Sequence, residues 1–137
     1  PRPSATPSAT PVNWADARSK GVDYYFDKAI SYQDQRKYQA VIDNATIAIG
    51  LLFPNDWRMH ASYFLIGDAH FNLGHYHSAI PNFKESIKRE PDFVLSHLML
   101  GRANSALGNH ETAIASFNNG ISCGKGVCIA STSKERQ

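Results

Sequence analysis

Small and large apolar residues recur along this chain with a fixed spacing of 34 residues. Residues 60–93 and residues 94–127 can be superimposed with glycine on glycine, alanine on alanine and large apolar side chains on one another. The matched pairs are Gly67 and Gly101, Ala69 and Ala103, Leu73 and Leu107, Gly74 and Gly108, Ala79 and Ala113, Ile80 and Ile114, Phe83 and Phe117, and Ile87 and Ile121. A period of this length predicts a stack of helical hairpins that bury their apolar faces against one another.

Within each period, apolar positions three and four residues apart predict two helices that meet at a short turn. Gly74 and Gly108 stand at the two turns. Pro81 falls inside a predicted helix, where it would remove a backbone hydrogen bond, so we expect either a late start with Ser78 as the cap or a kinked first turn. The predicted helices lie near residues 57–73, 77–89, 91–107 and 110–122.

A weaker version of the pattern precedes these two periods. Asn13 is a candidate N-cap for a helix that runs to about residue 35, and a second helix is predicted from Tyr38 to Leu52. Terminal repeats are commonly atypical because one of their sides has no neighbour. The sequence therefore predicts an all-α domain at residues 13–123, an α-solenoid of three antiparallel helix-turn-helix repeats with about six helices. The repeats span about residues 22–55, 60–93 and 94–123.

Individual residue types within the repeats follow a known motif. The central repeat supplies Tyr63, Ile66, Gly67, His70, Tyr76, Ala79, Phe83, Ser86 and Pro91, and the last supplies His97, Leu100, Gly101, Asn104, His110, Ala113, Phe117 and Gly120. This pattern resembles the tetratricopeptide repeat family, although His70 and Asn104 replace its first-helix aromatic residue. The resemblance implies a right-handed superhelical twist and a concave groove that is lined by the first helix of each repeat.

The groove positions implied by the resemblance carry mostly apolar side chains, with one acid and one base. Aligned apolar side chains are rarely left in open water, so we expect an amphipathic helix or an extended peptide to bind there. An alternative is that neighbouring helices, the segment around Trp14 or the C-terminal tail already fill the groove. The expected contact residues are Phe26, Ile30, Phe64, Asp68, Phe71, Leu95, Leu98 and Arg102.

One subgroup of the family uses groove Lys, Arg and Asn side chains to bind the C-terminal carboxylates of chaperones, and the resemblance allows a test for this clamp. The matching positions here carry Phe26, Ile30, Leu65, Leu95 and Met99, which disfavours that partner class. We therefore expect a non-catalytic module or scaffold that binds a protein or peptide partner. An accessory domain of a larger enzyme or secretion machine and a self-associating module are the alternatives.

Composition and charge exclude several other classes. The chain has 137 residues, 42% of them hydrophobic, and a formal net charge of +2, which gives no electrostatic argument for nucleic acid. No apolar run is long enough to span a bilayer. No phosphate-binding loop or nucleophile elbow is present, so neither a cofactor nor an enzymatic activity is predicted.

The two cysteines, Cys123 and Cys128, leave two interpretations open. The glycines between them allow a disulfide in an oxidising compartment, and the alternative is a pair of reduced thiols. No further ligand lies near them in the sequence, so a metal centre is not predicted. The compartment follows from the same question, since a disulfide would favour an extracytoplasmic location and free thiols a cytoplasmic one.

Both ends of the chain differ in composition from the repeats. Residues 1–12 hold four of the seven prolines, which predicts a flexible linker to an upstream anchor or domain, or simply a frayed end. Residues 124–137 form a short polar tail that we expect to be too small for a complete capping helix.

Overall fold

The computed structural model describes residues 11–128, and helices are the regular structure that this range forms. The all-α solenoid prediction is confirmed, with one helix more than expected. The helices are α1 (Trp14–Lys20), α2 (Val22–Asp34), α3 (Tyr38–Leu51), α4 (Arg58–Asn72), α5 (Tyr76–Arg89), α6 (Val94–Ala106) and α7 (His110–Gly124).

Three hairpins follow one another, formed by α2 with α3, α4 with α5, and α6 with α7. Each second helix also packs against the first helix of the next hairpin, as α3 does against α4 and α5 against α6. Buried side chains form one cluster around Ala29 and Val41, and a second around Phe83 and Ala103. The second cluster joins α5 to α6, so the hairpins are held together by the same apolar positions that repeat in the sequence.

Glycines at equivalent positions allow the two helices of a hairpin to approach closely. A Cβ atom on Gly67 would lie 2.7 Å from the ring of Phe83, and one on Gly101 would lie 2.6 Å from the ring of Phe117. These distances are well inside van der Waals contact. Phe83 is fully buried, whereas Phe117 in the last hairpin is only partly buried. The aromatic ring of the second helix therefore occupies the space that a side chain on the first helix would need.

One turn geometry connects the helices in all three hairpins. The second residue after the first helix has a positive φ, which is 58° at Arg36, 79° at Gly74 and 82° at Gly108. The next backbone N–H then closes the helix end by bonding to a carbonyl five residues earlier. These bonds are Lys37 to Tyr32 at 2.9 Å, His75 to His70 at 2.8 Å and Asn109 to Asn104 at 2.9 Å. Only the first hairpin places a residue with a side chain in this left-handed conformation, where glycine is favoured.

The predicted first helix is divided into two. Gly21 adopts φ 84° and ψ 164°, a conformation that is essentially restricted to glycine, and it ends α1 before α2 begins. Asn13 caps α1 as expected, since its side chain accepts a hydrogen bond from the backbone of Asp16 at 3.1 Å. The Trp14 ring lies against Gly50 of α3, where a Cβ atom would be only 2.3 Å from it. α1 therefore covers the outer side of the first hairpin.

The expectation that Ser78 caps a late-starting helix is wrong. α5 begins at Tyr76, and the backbone of Ala79 already bonds to the carbonyl of His75 at 3.0 Å. Pro81 lies inside this helix and is exposed, so it has no N–H to donate to the carbonyl of His77. The helix tolerates this because the affected side faces solvent.

The two ends of the array differ in how far they are covered. Most of the predicted linker at residues 1–12 lies outside the described range, and Val12 packs against the first cluster. The predicted tail, residues 124–137, is described only as far as Cys128. On α7, Ile114 and Ile121 are 59% and 51% exposed, although Ile80 and Ile87 at the equivalent places of α5 are partly buried against the second cluster. α6 covers the α5 residues, and within residues 11–128 no helix does the same for α7.

Candidate functional site

The first helices α2, α4 and α6 lie side by side and form the face on which the groove was predicted. Arg58 at the start of α4 pairs with Asp23 at the start of α2. Near the other end, Gln33 donates a hydrogen bond to Asp68 at 3.0 Å. Both contacts span 35 residues, so α2 and α4 run parallel and in register along the face.

Phe26 is buried, and Trp57 covers it. The two rings meet edge to face with their centroids 5.8 Å apart, and Trp57 remains 65% exposed. Trp57 is the residue before α4, in the junction that carries about four extra residues relative to the strict period. It offers surface to a partner where Phe26 does not, and sequence reasoning missed it because it lies outside the repeat motif.

Phe64 also takes part in packing inside the chain. Its ring centroid lies 5.3 Å from that of Phe93 and 6.0 Å from that of Phe83, and it is partly buried. Leu98, at the equivalent place of α6, packs near Gly120 of α7. These two residues line the base of the face and have limited free surface.

The remaining expected residues lie nearer the surface. Ile30 is 39% exposed and Leu95 is 50% exposed. Phe71 meets Tyr76 edge to face at 5.2 Å, and the guanidinium of Arg102 lies 5.1 Å from the centre of the Phe71 ring. Arg102 is exposed, so this contact links α4 to α6 while leaving much of the cation in water.

The described parts of the chain that could have filled the groove lie elsewhere. α1 packs against α2 and α3, with its Trp14 ring on Gly50 of the second helix of the hairpin. The end of the described chain packs near Pro91, to which the sulfur of Cys128 approaches within 3.0 Å. Residues 1–10 and 129–137 lie outside the described range.

Electrostatic contacts stiffen one end of this face. Arg58 bonds to both oxygens of Asp56, at 3.0 and 2.8 Å, while it also pairs with Asp23. Hydrogen bonding to Arg58 lowers the pKa of Asp56 to about 2. Nearby, burial lowers the pKa of His60, whose ring packs edge to face on Phe93 at 4.9 Å. His60 therefore favours its neutral form.

A separate cluster forms at the far end of the third hairpin. Cys123 and Cys128 are joined by a disulfide, and Nε2 of His97 lies 3.8 Å from the sulfur of Cys123. Among residues 11–128, these three make up the one group whose potential metal-ligand atoms lie within 4.8 Å of one another. Sequence reasoning found the cysteines but not His97, because 26 residues separate it from Cys123. Only the stacking of α6 on α7 brings them together.

Residues 64–122 match the family model described as tetratricopeptide repeat. Over these residues the chain resembles the tetratricopeptide repeat (TPR) family. The whole array of helical hairpins also resembles solved structures at low sequence identity. The crystal structure of MamA has a TM-score of 0.71 and 19% identity, covering 79% of this chain and 61% of that one. No curated protein sequence matches the chain significantly.

Two further structures cover more of their own length. The Arabidopsis OM64 TPR domain has a TM-score of 0.71 and 17% identity, covering 85% of this chain and 93% of that one. The first TPR of Spaghetti (RPAP3), bound to the HSP90 peptide SRMEEVD, has a TM-score of 0.69 and 19% identity, covering 86% of this chain and 90% of that one. These likenesses establish the fold of the helical array.

No helix within residues 11–128 combines the length and the apolar character that crossing a bilayer needs.

Proposed function

We propose that this TPR array is a non-catalytic interaction module that binds a protein or peptide on the face formed by α2, α4 and α6. The observation that carries the proposal is the exposure of Ile30 and Leu95 on helices that are otherwise closely packed. Trp57 adds a third exposed apolar side chain. Such side chains along parallel helices suit the apolar positions of an amphipathic helix or an extended peptide.

The polar residues of the face indicate how a partner would be oriented. Asp68 uses one carboxylate oxygen to accept from Gln33, and Arg102 is exposed beside Phe71. A peptide that places a basic group near Asp68 and an acidic group near Arg102 would be favoured over its reversed arrangement.

The proposed partner differs in chemistry from the acidic HSP90 peptide bound by the RPAP3 TPR domain. At the positions expected to carry the carboxylate clamp, this chain has apolar residues, and Phe26, Leu65 and Met99 among them are buried. Of these positions only Ile30 and Leu95 are exposed, and we propose that binding depends on apolar contacts to them more than on a terminal carboxylate.

Selection of peptides from a random library against the full chain, followed by fluorescence anisotropy, tests this proposal. Leu95→Asp and Ile30→Asp should each weaken binding by about tenfold or more, since each buries a charge against an apolar partner. Ile114→Asp is the matched control, because Ile114 is similarly exposed but lies on α7. Equal weakening by all three changes, or peptides whose affinity ignores Leu95 and Ile30, would place binding elsewhere.

A second candidate is self-association through the outer face of α7. Ile114 and Ile121 are exposed where their equivalents in α5 are covered by a hairpin of this same repeat type. A second copy could supply an equivalent surface. Light scattering should then show a dimer that dissociates on Ile114→Glu with Ile121→Glu but persists on Leu95→Asp. A wild-type chain that is monomeric at high concentration would eliminate this candidate.

A further inference from the structure

The cluster at the end of the third hairpin gathers three metal-binding side chains around one carbonyl group. Nε2 of His97 lies 2.7 Å from the carbonyl oxygen of Pro91, and the sulfurs of Cys123 and Cys128 lie 3.5 and 3.0 Å from it. His97 and Cys123 are buried, and Cys128 is partly buried. The three donor atoms thus converge on the Pro91 carbonyl oxygen and lie close to one another.

The second hairpin has different side chains at the positions equivalent to His97 and Cys123. Tyr63 and Arg89 are the residues 34 positions before His97 and Cys123. The Arg89 guanidinium lies 5.2 Å from the centre of the Tyr63 ring and bonds to the carbonyl of Pro54 at 3.3 Å. Both hairpins therefore join the end of the second helix to the start of the first through a proline carbonyl. The third hairpin does so with residues that can bind metal.

The spacing of the ligand atoms fits a zinc ion. Zinc–sulfur and zinc–nitrogen bonds of about 2.3 and 2.05 Å at tetrahedral angles place the sulfur about 3.6 Å from the nitrogen. The corresponding distance from Cys123 to His97 is 3.8 Å. Two sulfurs on one zinc ion lie about 3.8 Å apart, so binding requires the disulfide to be opened. Gly124 and Gly126 give the intervening loop the freedom to allow this.

We propose that, in the reduced protein, His97, Cys123 and Cys128 bind one Zn²⁺. Cys123 and Cys128 are then linked either by the disulfide in the oxidised protein or by the zinc ion in the reduced protein. Reduction by a dithiol breaks the sulfur–sulfur bond, oxidises the dithiol to its own disulfide and leaves its two protons on the cysteine sulfurs. Zinc then displaces both thiol protons to solvent. To bind zinc, Nε2 of His97 gives up its hydrogen bond to the Pro91 carbonyl, with the ring proton on Nδ1 instead, and a water is the fourth ligand.

This proposal is independent of the groove and is tested by zinc titration of the full chain. The chain is reduced with dithiothreitol, freed of the reductant without oxygen, and titrated with Zn²⁺ against a chromophoric chelator. We expect one zinc ion per reduced chain and none per disulfide-bonded chain. Because two protons are displaced, the apparent affinity should rise by about 100-fold per pH unit below the thiol pKa. Reduced protein that competes no better than the disulfide form would overturn the proposal.

Variants identify the ligands. Cys128→Ser and His97→Gln should each lower zinc affinity by about 100-fold or more, since even outer-shell changes cost 10–100-fold. His110→Gln is the control, because His110 is exposed at the opposite end of α7. Cobalt substitution should give the visible bands of a tetrahedral site and a thiolate charge-transfer band, both lost in Cys128→Ser. If His97→Gln reduces helical circular dichroism, Cys128→Ser alone decides, and unchanged zinc affinity in that variant contradicts the site.

Discussion

Replacing glycine by alanine at positions 67 and 101 should give different results although the two sites look alike. At each site the new Cβ atom would lie 2.6–2.7 Å from a phenylalanine ring. Alanine gains about 1 kcal/mol of helix propensity over glycine, and overpacking costs about 1–3 kcal/mol. Phe83 is fully buried and cannot move away, whereas Phe117 is partly exposed and can tilt toward solvent. The overpacking cost at Gly67 should therefore fall in the upper half of that range, so that after the gain in propensity Gly67→Ala destabilises by about 1–2 kcal/mol, whereas we expect Gly101→Ala to be near neutral.

Urea denaturation of the two variants measures this difference. With an m-value of about 2 kcal/mol/M, the midpoints should separate by about 0.5–1 M. In a Phe83→Leu background the cost of Gly67→Ala should largely disappear, because the ring that causes the overlap has been removed. Equal midpoints for Gly67→Ala and Gly101→Ala, or an unchanged cost in the Phe83→Leu background, would refute the argument from ring mobility.

Three further changes test other parts of the fold. Arg36→Gly should raise the free energy of unfolding by about 0.5–1 kcal/mol in urea denaturation, because glycine relieves the left-handed strain; a loss of stability would contradict this. Pro81→Ala restores the N–H for the carbonyl of His77 and should stabilise by about 1–3 kcal/mol, raising the thermal midpoint, whereas an unchanged midpoint would show that the helix has fully adapted. The pKa of Asp56 falls from 3.8 to about 2 on folding, so its pairing with Arg58 stabilises fully above pH 3.8 and is lost as the pH falls through 2. Denaturation midpoints measured across that range should fall less steeply in Asp56→Asn than in the wild type, and equal slopes would count against the pairing.

The repeat architecture could be predicted because the residues that pack the hairpins recur in the sequence at a fixed spacing. Glycine at 67 and 101 and phenylalanine at 83 and 117 recur with one period, and each pair also makes one contact in the structure. The turn at Gly74 was predictable for the same reason. The break at Gly21 was not, because glycine is also tolerated inside helices and the apolar spacing of α1 continues into α2.

The sequence predicts which helices form the face of the groove, but not how much of each side chain on that face is exposed. Repeat alignment correctly assigns residues to the first helices, but their free area depends on neighbours that the motif does not describe. Trp57 covers Phe26 because the junction before α4 has extra residues, and Phe93 packs on Phe64 from the start of α6. Contact residues and packing residues therefore cannot be separated without the junctions.

The last repeat departs from the central one where α6 meets α7. Gly120 stands at the position of Ser86, and a Cβ atom there would lie 3.2 Å from both His97 and Leu98. His97 belongs to the cysteine cluster, and its neighbour Leu98 belongs to the face on which we propose partner binding. Because adjacent residues of a helix point in different directions, a single close approach at Gly120 positions one residue of each proposed site. Glycine at position 120 lowers the stability of α7, but its missing side chain lets α6 come near enough to α7 for His97 to reach Cys123.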